Sequence, residues 1–309
     1  MFVQHKITIN RRIAFEKATE ADGLSPEQIF SRKLCGLFKS NSAVLYQKHV
    51  KIAMMNAAAK LIFFDTETTG NTEKDFLVQI SYKVYPAPGG DENEDFTGLY
   101  QPPVRIPPEA SAVHHITNRM VEGKKSFKES GDLEKIKKLF EDGNSVVVAH
   151  NAPFDLLMIK KEGVIPKKFI CTLRVARFLD REEKIERYNL QYLRYLLEIE
   201  IDAEAHDAMG DVLVLEKLFE RLKTKMMSEI PTQGGRKLTE EEAIEKMVEI
   251  SSHPSLMHTF KFGKYNGRRI EEVIKADRGY LEWLLAQKLS GDGIDEDWIY
   301  TLKYHLEKK

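Results

Sequence analysis

Residues 61–70 read LIFFDTETTG, an apolar run that becomes acidic and then reaches a Thr-Thr-Gly turn. The four apolar residues predict a buried β-strand. Side chains two positions apart on a strand project from the same face, so Asp65 and Glu67 should converge on one point. Two adjacent carboxylates repel each other unless a cation joins them, and hard oxygen ligands suit Mg²⁺ or Mn²⁺. The stretch therefore suggests a metal site, although a bare D-x-E pair is more often a solvated strand end.

The segments around this strand predict an α/β fold. Further strands are expected at 76–85, 96–101 and 146–149, the last apolar throughout and therefore central. Helical patterns follow at 131–141, 153–162, 172–180, 189–197 and 207–226. Strands that come early in the chain and alternate with helices later are typical of a mixed sheet flanked by helices.

Composition divides the chain into four regions. Residues 1–57 are locally basic with weak periodicity and are interpreted as an N-terminal extension outside the core. Two explanations stay open for them, a genuine extension or a start codon assigned too early, and Met54 and Met55 slightly favour the second. Residues 58–226 should form the main domain, 227–250 a linker and 251–309 a small C-terminal α+β module.

Bulk composition excludes few functions. Lys and Arg total 47 against 48 Asp and Glu, so contacts to a nucleic acid must come from local patches. Cys35 and Cys171 lack metal-type spacing and are typical of reduced thiols, which argues against a structural zinc. No apolar run approaches the ~20 residues that cross a bilayer, and no signal-type stretch begins the sequence. We therefore expect a cytoplasmic protein with no membrane partner.

Two further acidic motifs follow in the chain. In residues 149–155, AHNAPFD, a buried strand gives way to a helix whose first turn holds Asp155. A lone acid at that position more often simply complements the helix dipole. In residues 206–211, HDAMGD, His206 precedes a helix whose first turns hold Asp211. A histidine beside an acidic metal site has the side-chain pKa suited to removing a proton near neutral pH.

Taken in order, D-x-E, N-A-P-F-D and H-x-x-x-x-D resemble the three motifs of the DEDDh exonucleases, the DnaQ-like superfamily on an RNase H-like fold. The resemblance covers roughly residues 60–222. The joint match in strand, strand-to-helix turn and helix is specific, whereas each motif alone is not. It implies a metal-dependent 3′→5′ exonuclease that releases nucleoside 5′-monophosphates.

The resemblance also implies a role for each of five residues. Asp65, Glu67 and Asp211 would hold one metal ion, Asp65 with water-mediated help from Asp155 would hold a second, and His206 would activate the attacking water. Two ions in one site lower the pKa of a bound water and clamp the attacking and leaving oxygens of a phosphodiester. The implied chemistry is therefore phosphodiester hydrolysis.

The same resemblance implies where the terminal nucleotide binds. Residues 112–117, AVHHIT, look like the V-H-G-I-T segment of proofreading-type and exonuclease X-like DNA exonucleases, which favours DNA as the substrate. His115 stands where that segment usually has glycine, so the approach of this loop to the terminal base stays open. Phe154 is also an expected substrate contact, although an aromatic residue in the first turn of a buried helix is usually a core residue. The expected substrate site consists of Thr68, Thr69, Gly70, Ile116 and Phe154.

The C-terminal module contains FKFGKYNGRR at 260–269, which resembles the small module appended to exonuclease X-like proteins. Interleaved basic and aromatic residues could track and stack on a single strand. The aromatic residues could equally form the core of a domain too small to have another. The basic residues are the better candidates for substrate contact, namely Lys261, Lys264, Arg268 and Arg269.

The favoured function is a hydrolase acting on the 3′ end of single-stranded or frayed DNA with two Mg²⁺ or Mn²⁺ ions, in DNA repair, replication or turnover. One alternative is an exoribonuclease of the RNase T or oligoribonuclease kind, which shares the same five residues. Another is a non-catalytic, nucleic-acid-binding accessory subunit of a polymerase. The intact acidic set argues against the last, because like charges kept together without a metal destabilise a fold. A DNA polymerase or repair complex as partner is left open.

Overall fold

The structure of the protein is a computed structural model that describes residues 59–85, 94–201, 208–232, 234–291 and 295–308. The chain separates into Met1–Ala57 and Ala58–Lys309, and every described residue belongs to the second unit. The predicted N-terminal extension therefore lies outside the described residues. No helix within the described ranges is long and apolar enough to span a membrane.

A mixed five-stranded sheet forms the centre of the main domain. Its strands are β1 (Lys60–Thr68), β2 (Leu77–Tyr85), β3 (Glu94–Leu99), β4 (Ser145–Ala149) and β5 (Phe169–Cys171). Their order is β3-β2-β1-β4-β5, with antiparallel pairs from β3 to β1 and parallel pairs from β1 to β5. The predicted class, a mixed sheet flanked by helices, is confirmed. Every residue of β4 is buried, as expected for a central strand.

Helices connect the strands and build the C-terminal module. Those of the main domain are α1 (Pro108–His114), α2 (Asn118–Val121), α3 (Asp132–Phe140), α4 (Ala152–Lys161), α5 (Thr172–Leu179), α6 (Leu190–Leu196) and α7 (Ala208–Glu229). They are followed by α8 (Glu240–Ser251), α9 (Ile270–Ala276), α10 (Arg278–Ser290) and α11 (Glu296–Glu307). Short 3₁₀ turns occur at Phe127–Glu129 and Gly263–Tyr265.

Alternation along β1 divides the core between the two faces of the sheet. Leu61 and Phe63 pack with residues of α5, α7 and α8, whereas Ile62 and Phe64 pack with residues of α3 and α4. Successive side chains of a strand point to opposite faces. The acids that continue the Leu61 and Phe63 series, at positions 65 and 67, therefore project on the α7 side, and Thr66 projects on the α4 side.

The segment predicted to be a linker, 227–250, is mostly helical. α7 continues to Glu229, and α8 begins at Glu240 behind a capping box formed by Thr239. Ala243 and Met247 of α8 are fully buried in the core of the main domain. The Ser-, Thr- and Gly-rich composition that suggested a linker belongs only to the turn between two helices. The linker boundary is corrected accordingly, because α8 is stabilised by a core that only the folded chain supplies.

The C-terminal module is a small helical unit with its own apolar core. α9, α10 and α11 surround Phe260, Leu281, Trp298 and Leu302. Within 251–291 and 295–308, β pairing is limited to one isolated bridge between Thr259 and Arg269, so the β part of the expected α+β module is this bridge.

Candidate active site

Three carboxylates lie together at the end of β1. Asp65, Glu67 and Asp211 each offer an oxygen atom, and these atoms lie within 4.8 Å of one another. Asp211 belongs to the first turn of α7, and Phe219 of this helix packs edge-on against Phe63 with ring centroids 5.3 Å apart. The packing of α7 on this face of the sheet thus brings the third acid to the pair on β1. We call these three residues the acid cluster.

The acid cluster suits a hard divalent cation. Its ligands are carboxylate oxygens, all three residues are partly exposed, and such donors match Mg²⁺ and Mn²⁺ better than softer metals. Gln191 of α6 donates a hydrogen bond from Nε2 to Oδ1 of Asp211, which holds this carboxylate in place. Gln191 was missed by the sequence analysis, because a single amide in a short helix forms no recognisable motif.

Asp155 approaches from the opposite face of the sheet. It lies in the first turn of α4, and its Oδ1 accepts hydrogen bonds from the backbone N–H of Thr66 at 3.2 Å and from the Thr66 hydroxyl at 2.6 Å. Burial raises the pKa of Asp155 to about 7, although the Thr66 hydrogen bonds act to lower it. The structure thus brings three of the four predicted acids together and places Asp155 against Thr66, the residue between Asp65 and Glu67. His206 lies outside the described residues, so its role stays a prediction.

The turn after the acids is held from within the protein. The β1–β2 register slips between Glu67 and Thr68, a bulge of the kind found beside active sites. Thr68 donates its hydroxyl hydrogen to the carbonyl of Gly70, and Thr69 donates to Oδ1 of Asp75 at 2.8 Å. A Cβ on Gly70 would lie 2.6 Å from Oδ2 of Asp75, which explains the glycine. Thr68 and Thr69 are buried as whole residues, and the backbone N–H of Thr69 donates to the carbonyl of Phe76 at 2.9 Å.

The AVHHIT segment is tied to this turn by a buried histidine. Nε2 of His114 donates to the carbonyl of Thr68 at 3.2 Å, and its Nδ1 accepts the N–H of Ile116 at 3.0 Å. Burial lowers the pKa of His114, in keeping with a neutral ring. His115 ends α1 in the left-handed region with φ 61°, which explains why the resembling segment has glycine there. Ile116 is buried in an apolar cluster, so the structure gives this predicted substrate contact a packing role.

Phe154 lines a cleft. Its side chain is half-buried and lies outside the buried core clusters formed by the described residues. It shares a cleft of about 550 Å³ with Asn71 and Asn151. The core explanation for Phe154 is therefore not favoured.

The basic residues predicted to bind substrate from the C-terminal module mostly have partners inside the protein. Lys261 donates to the carbonyl of Glu183 at 2.6 Å, Lys264 pairs with Asp277 at 3.1 Å, Arg268 pairs with Glu272 at 3.6 Å, and Arg269 is exposed. Phe260 stacks on Trp298 with ring centroids 5.4 Å apart inside the module core. Of the two explanations for the aromatic residues, the structure therefore supports a core.

The sheet order, the helices on both faces and the acid cluster at the end of β1 define a metal-dependent nuclease of the RNase H-like fold. A family model described as Exonuclease matches residues 62–219, a range that contains the whole acid cluster. This chain belongs to that exonuclease family and is a hydrolase. A second family model, described as Exodeoxyribonuclease X-like C-terminal, matches residues 260–288 in the C-terminal module.

Individual relatives agree with the family. Exodeoxyribonuclease 10 of Escherichia coli (strain K12) is 31% identical over 210 residues, which are 68% of this chain and 83% of the relative. DNA polymerase III subunit epsilon of Treponema pallidum (strain Nichols) is 31% identical over 180 residues, 56% of this chain and 78% of the relative. A solved structure of Exonuclease X in complex with 5′ overhanging duplex DNA has 25% identity and a TM-score of 0.45, and the match covers 62% of this chain and 99% of that chain.

Proposed function

We propose that this exonuclease removes nucleotides from the 3′ end of single-stranded or frayed DNA with two Mg²⁺ or Mn²⁺ ions. The acid cluster carries the proposal, because its three oxygens lie within 4.8 Å of one another. Shared carboxylates around two ions ~4 Å apart are the arrangement that supports in-line hydrolysis of phosphodiesters. DNA rather than RNA is proposed from the names of two relatives, an exodeoxyribonuclease and a DNA polymerase subunit.

Each acidic residue has a distinct part in this proposal. Asp65, Glu67 and Asp211 would hold one ion, and Asp65 with water-mediated help from Asp155 would hold the other. When bound, the ions supply an activated water and offset the charge that grows on the phosphate. His206 would take the proton from the attacking water, since a histidine side chain ordinarily titrates near neutral pH. Gln191 fixes the orientation of Asp211 through their hydrogen bond, as outer partners of metal ligands do.

The terminal nucleotide binds beside the turn after β1. Gly70 supports this placement, because it lets the backbone of the turn come close to Asp75. Phe154 offers a ring at the cleft for stacking on the terminal base.

Hydrolysis of labelled strands tests the proposal. Single-stranded DNA, blunt duplex DNA and single-stranded RNA, each labelled at the 5′ end, are incubated with Mg²⁺, Mn²⁺ or EDTA. We expect stepwise shortening of single-stranded DNA from its 3′ end, which stops in EDTA. Faster shortening of RNA would instead assign an exoribonuclease, and no shortening of any strand would overturn the proposal.

Two variants locate the activity. Asp65→Asn keeps the size of the side chain but removes the charge needed for both ions, so hydrolysis should fall to background. Glu134→Gln, on an exposed position of α3, makes the same chemical change away from the site and should behave as wild type. Calorimetry with Mn²⁺ should give two ions per chain for wild type. The name of the Treponema pallidum relative, a DNA polymerase subunit, suggests a DNA polymerase as the partner.

A further inference from the structure

The cleft that contains Phe154 is built by both parts of the protein. The main domain contributes Asn71, Asn151 and Phe154, and the last turns of α10 in the C-terminal module contribute Gln287 and Lys288. Asn71 follows the turn after β1, and Asn151 and Phe154 lie at the start of α4, the helix that carries Asp155. The segments that position the acids therefore also form one wall of this cleft, which we call the small cleft.

A buried ionic contact holds the opposite wall. The side chain of Arg174 of α5 is only 4% exposed, and its Nε donates to Oδ1 of Asp297 at 3.0 Å at the start of α11. A second hydrogen bond runs from Nη1 of Arg174 to the carbonyl of Ser251 at 2.8 Å. α10 packs against α11, so this contact fixes the α10 residues relative to the main domain. A site built from such held elements loses little entropy on binding.

The side chains around the small cleft match the chemistry of a single strand. Asn71, Asn151 and Gln287 are exposed amides, which donate and accept hydrogen bonds as base edges do. Asn151 makes no capping hydrogen bond to α4.

Lys288 supplies the positive charge. Its ammonium group pairs with Asp295 at 2.5 Å and lies 5.8 Å from the ring centroid of Phe262, and both contacts orient it. Asp295 also caps α11 by accepting the N–H of Trp298. An ammonium group has three N–H donors, so the pair with Asp295 leaves donors for a phosphate.

A larger cleft of about 1050 Å³ adjoins the small cleft and is also lined by residues of both the main domain and the C-terminal module. It shares Asn151, Lys288 and Asp295 with the small cleft, and its lining includes the exposed Arg181 and Arg187. A strand that leaves the small cleft would therefore pass these two cations and also the acidic residues of the same lining, Asp180, Glu183, Glu186 and Glu249.

We propose that the small cleft binds the nucleotide that precedes the 3′-terminal one in single-stranded DNA, with Lys288 contacting its phosphate and Gln287 its base. The C-terminal module is then part of the substrate site. This inference rests on the proposed function. It assigns substrate contact to α10, because Gln287 and Lys288 line the small cleft, whereas Lys264, Arg268 and Arg269 line neither of the two clefts.

Full-length variants test the two contacts separately. Lys288→Ala and Gln287→Ala are compared with Lys275→Ala, which removes an exposed lysine of α9 that lines neither cleft. The value of kcat/KM is measured on a ten-nucleotide DNA strand and on the p-nitrophenyl ester of thymidine 5′-monophosphate, which has no second nucleotide. Lys288→Ala and Gln287→Ala should each lower kcat/KM on the strand about tenfold and leave the ester unaffected. Lys275→Ala should change neither.

Salt dependence distinguishes the roles. Loss of one phosphate contact on a single strand should reduce the slope of log affinity against log salt by about 0.7 in Lys288→Ala, and Lys288→Arg should restore the slope. Gln287→Ala should keep the wild-type slope, because an amide releases no counterion. Wild-type kcat/KM on the strand in both alanine variants would overturn the inference.

A binding measurement separates failure of this inference from failure of the proposed function. If wild type hydrolyses no strand, the proposed function fails. Fluorescence anisotropy of the same labelled strand in EDTA still tests the small cleft. Equal affinity of wild type and Lys288→Ala would then overturn the inference, and weaker binding by the variant alone would support it.

Discussion

Asp297→Ala should destabilise the fold strongly, because two guanidinium groups of the main domain share this carboxylate. Arg174 donates to its Oδ1 at 3.0 Å and Arg177 donates to its Oδ2. The backbone N–H of Ser255 also donates to Oδ1 at 3.0 Å. The Asp297 side chain is 9% exposed, so little water is available to replace it.

The burial of both partners sets the magnitude. Removing one member of a buried pair costs about 3–5 kcal/mol, since the remaining charge stays buried without its partner. Arg174 would keep its contacts to the Ser251 carbonyl and to Glu296, so we expect the lower end, about 3 kcal/mol. Glu296→Ala is the matched control, because this acid contacts the same guanidinium but is 54% exposed. Its loss should cost under about 1 kcal/mol.

Urea unfolding followed by circular dichroism measures both variants. Asp297→Ala should move the midpoint to lower urea with an unchanged slope, which indicates a loss of stability rather than a change in compactness. Replacing both partners, Arg174→Met with Asp297→Leu, should recover only part of the loss. The buried Arg174 charge is then removed, but Arg177 and the backbone N–H of Ser255 still lose their acceptor. Equal losses below about 1 kcal/mol for Asp297→Ala and Glu296→Ala would refute the argument from burial.

Four further predictions concern the turn, the loop and the histidines. His115→Gly should raise the free energy of unfolding by about 1 kcal/mol, since glycine adopts φ 61° without strain; an unchanged urea midpoint would contradict this. Gly70→Ala should lower turnover, because the added Cβ would lie 2.6 Å from Oδ2 of Asp75. Gly143→Ala is the control, because a Cβ there has no neighbour within 4 Å, and it should leave turnover unchanged. Equal turnover of the two variants would show that the short distance to Asp75 is not what requires glycine at position 70. Burial lowers the pKa of His150 in the folded protein to about 4, whereas a histidine in the unfolded chain titrates near 6.5. Between these pH values the unfolded chain binds a proton that the folded protein does not, so the free energy of unfolding should fall by roughly 3 kcal/mol as the pH drops from 6.5 towards 4. His150→Gln should flatten this pH dependence in unfolding experiments. His206→Ala should lower kcat by ~10²–10⁴-fold with Mn²⁺ binding retained, and wild-type turnover would exclude the histidine as the base.

Local periodicity was enough to predict most elements. The apolar runs at 61–64 and 146–149 gave β1 and β4, and helices predicted at 131–141 and 153–162 match α3 and α4 within one residue at each end. β5 was missed because three residues are too few to show a periodic pattern. α8 was missed because polar residues at 228–238 suggested that a linker continued, whereas Ala243 and Met247 are buried by contacts distant in sequence.

By itself the sequence determined that Asp65 and Glu67 share a face, since the two-residue period belongs to the strand backbone. The order of three motifs determined the family. Only the tertiary structure decided which groups meet that pair. Asp211 joins it because α7 packs on the same face of the sheet, whereas Asp155 on α4 meets Thr66 from the other face. Such pairings depend on how helices pack across a sheet, which no local pattern encodes.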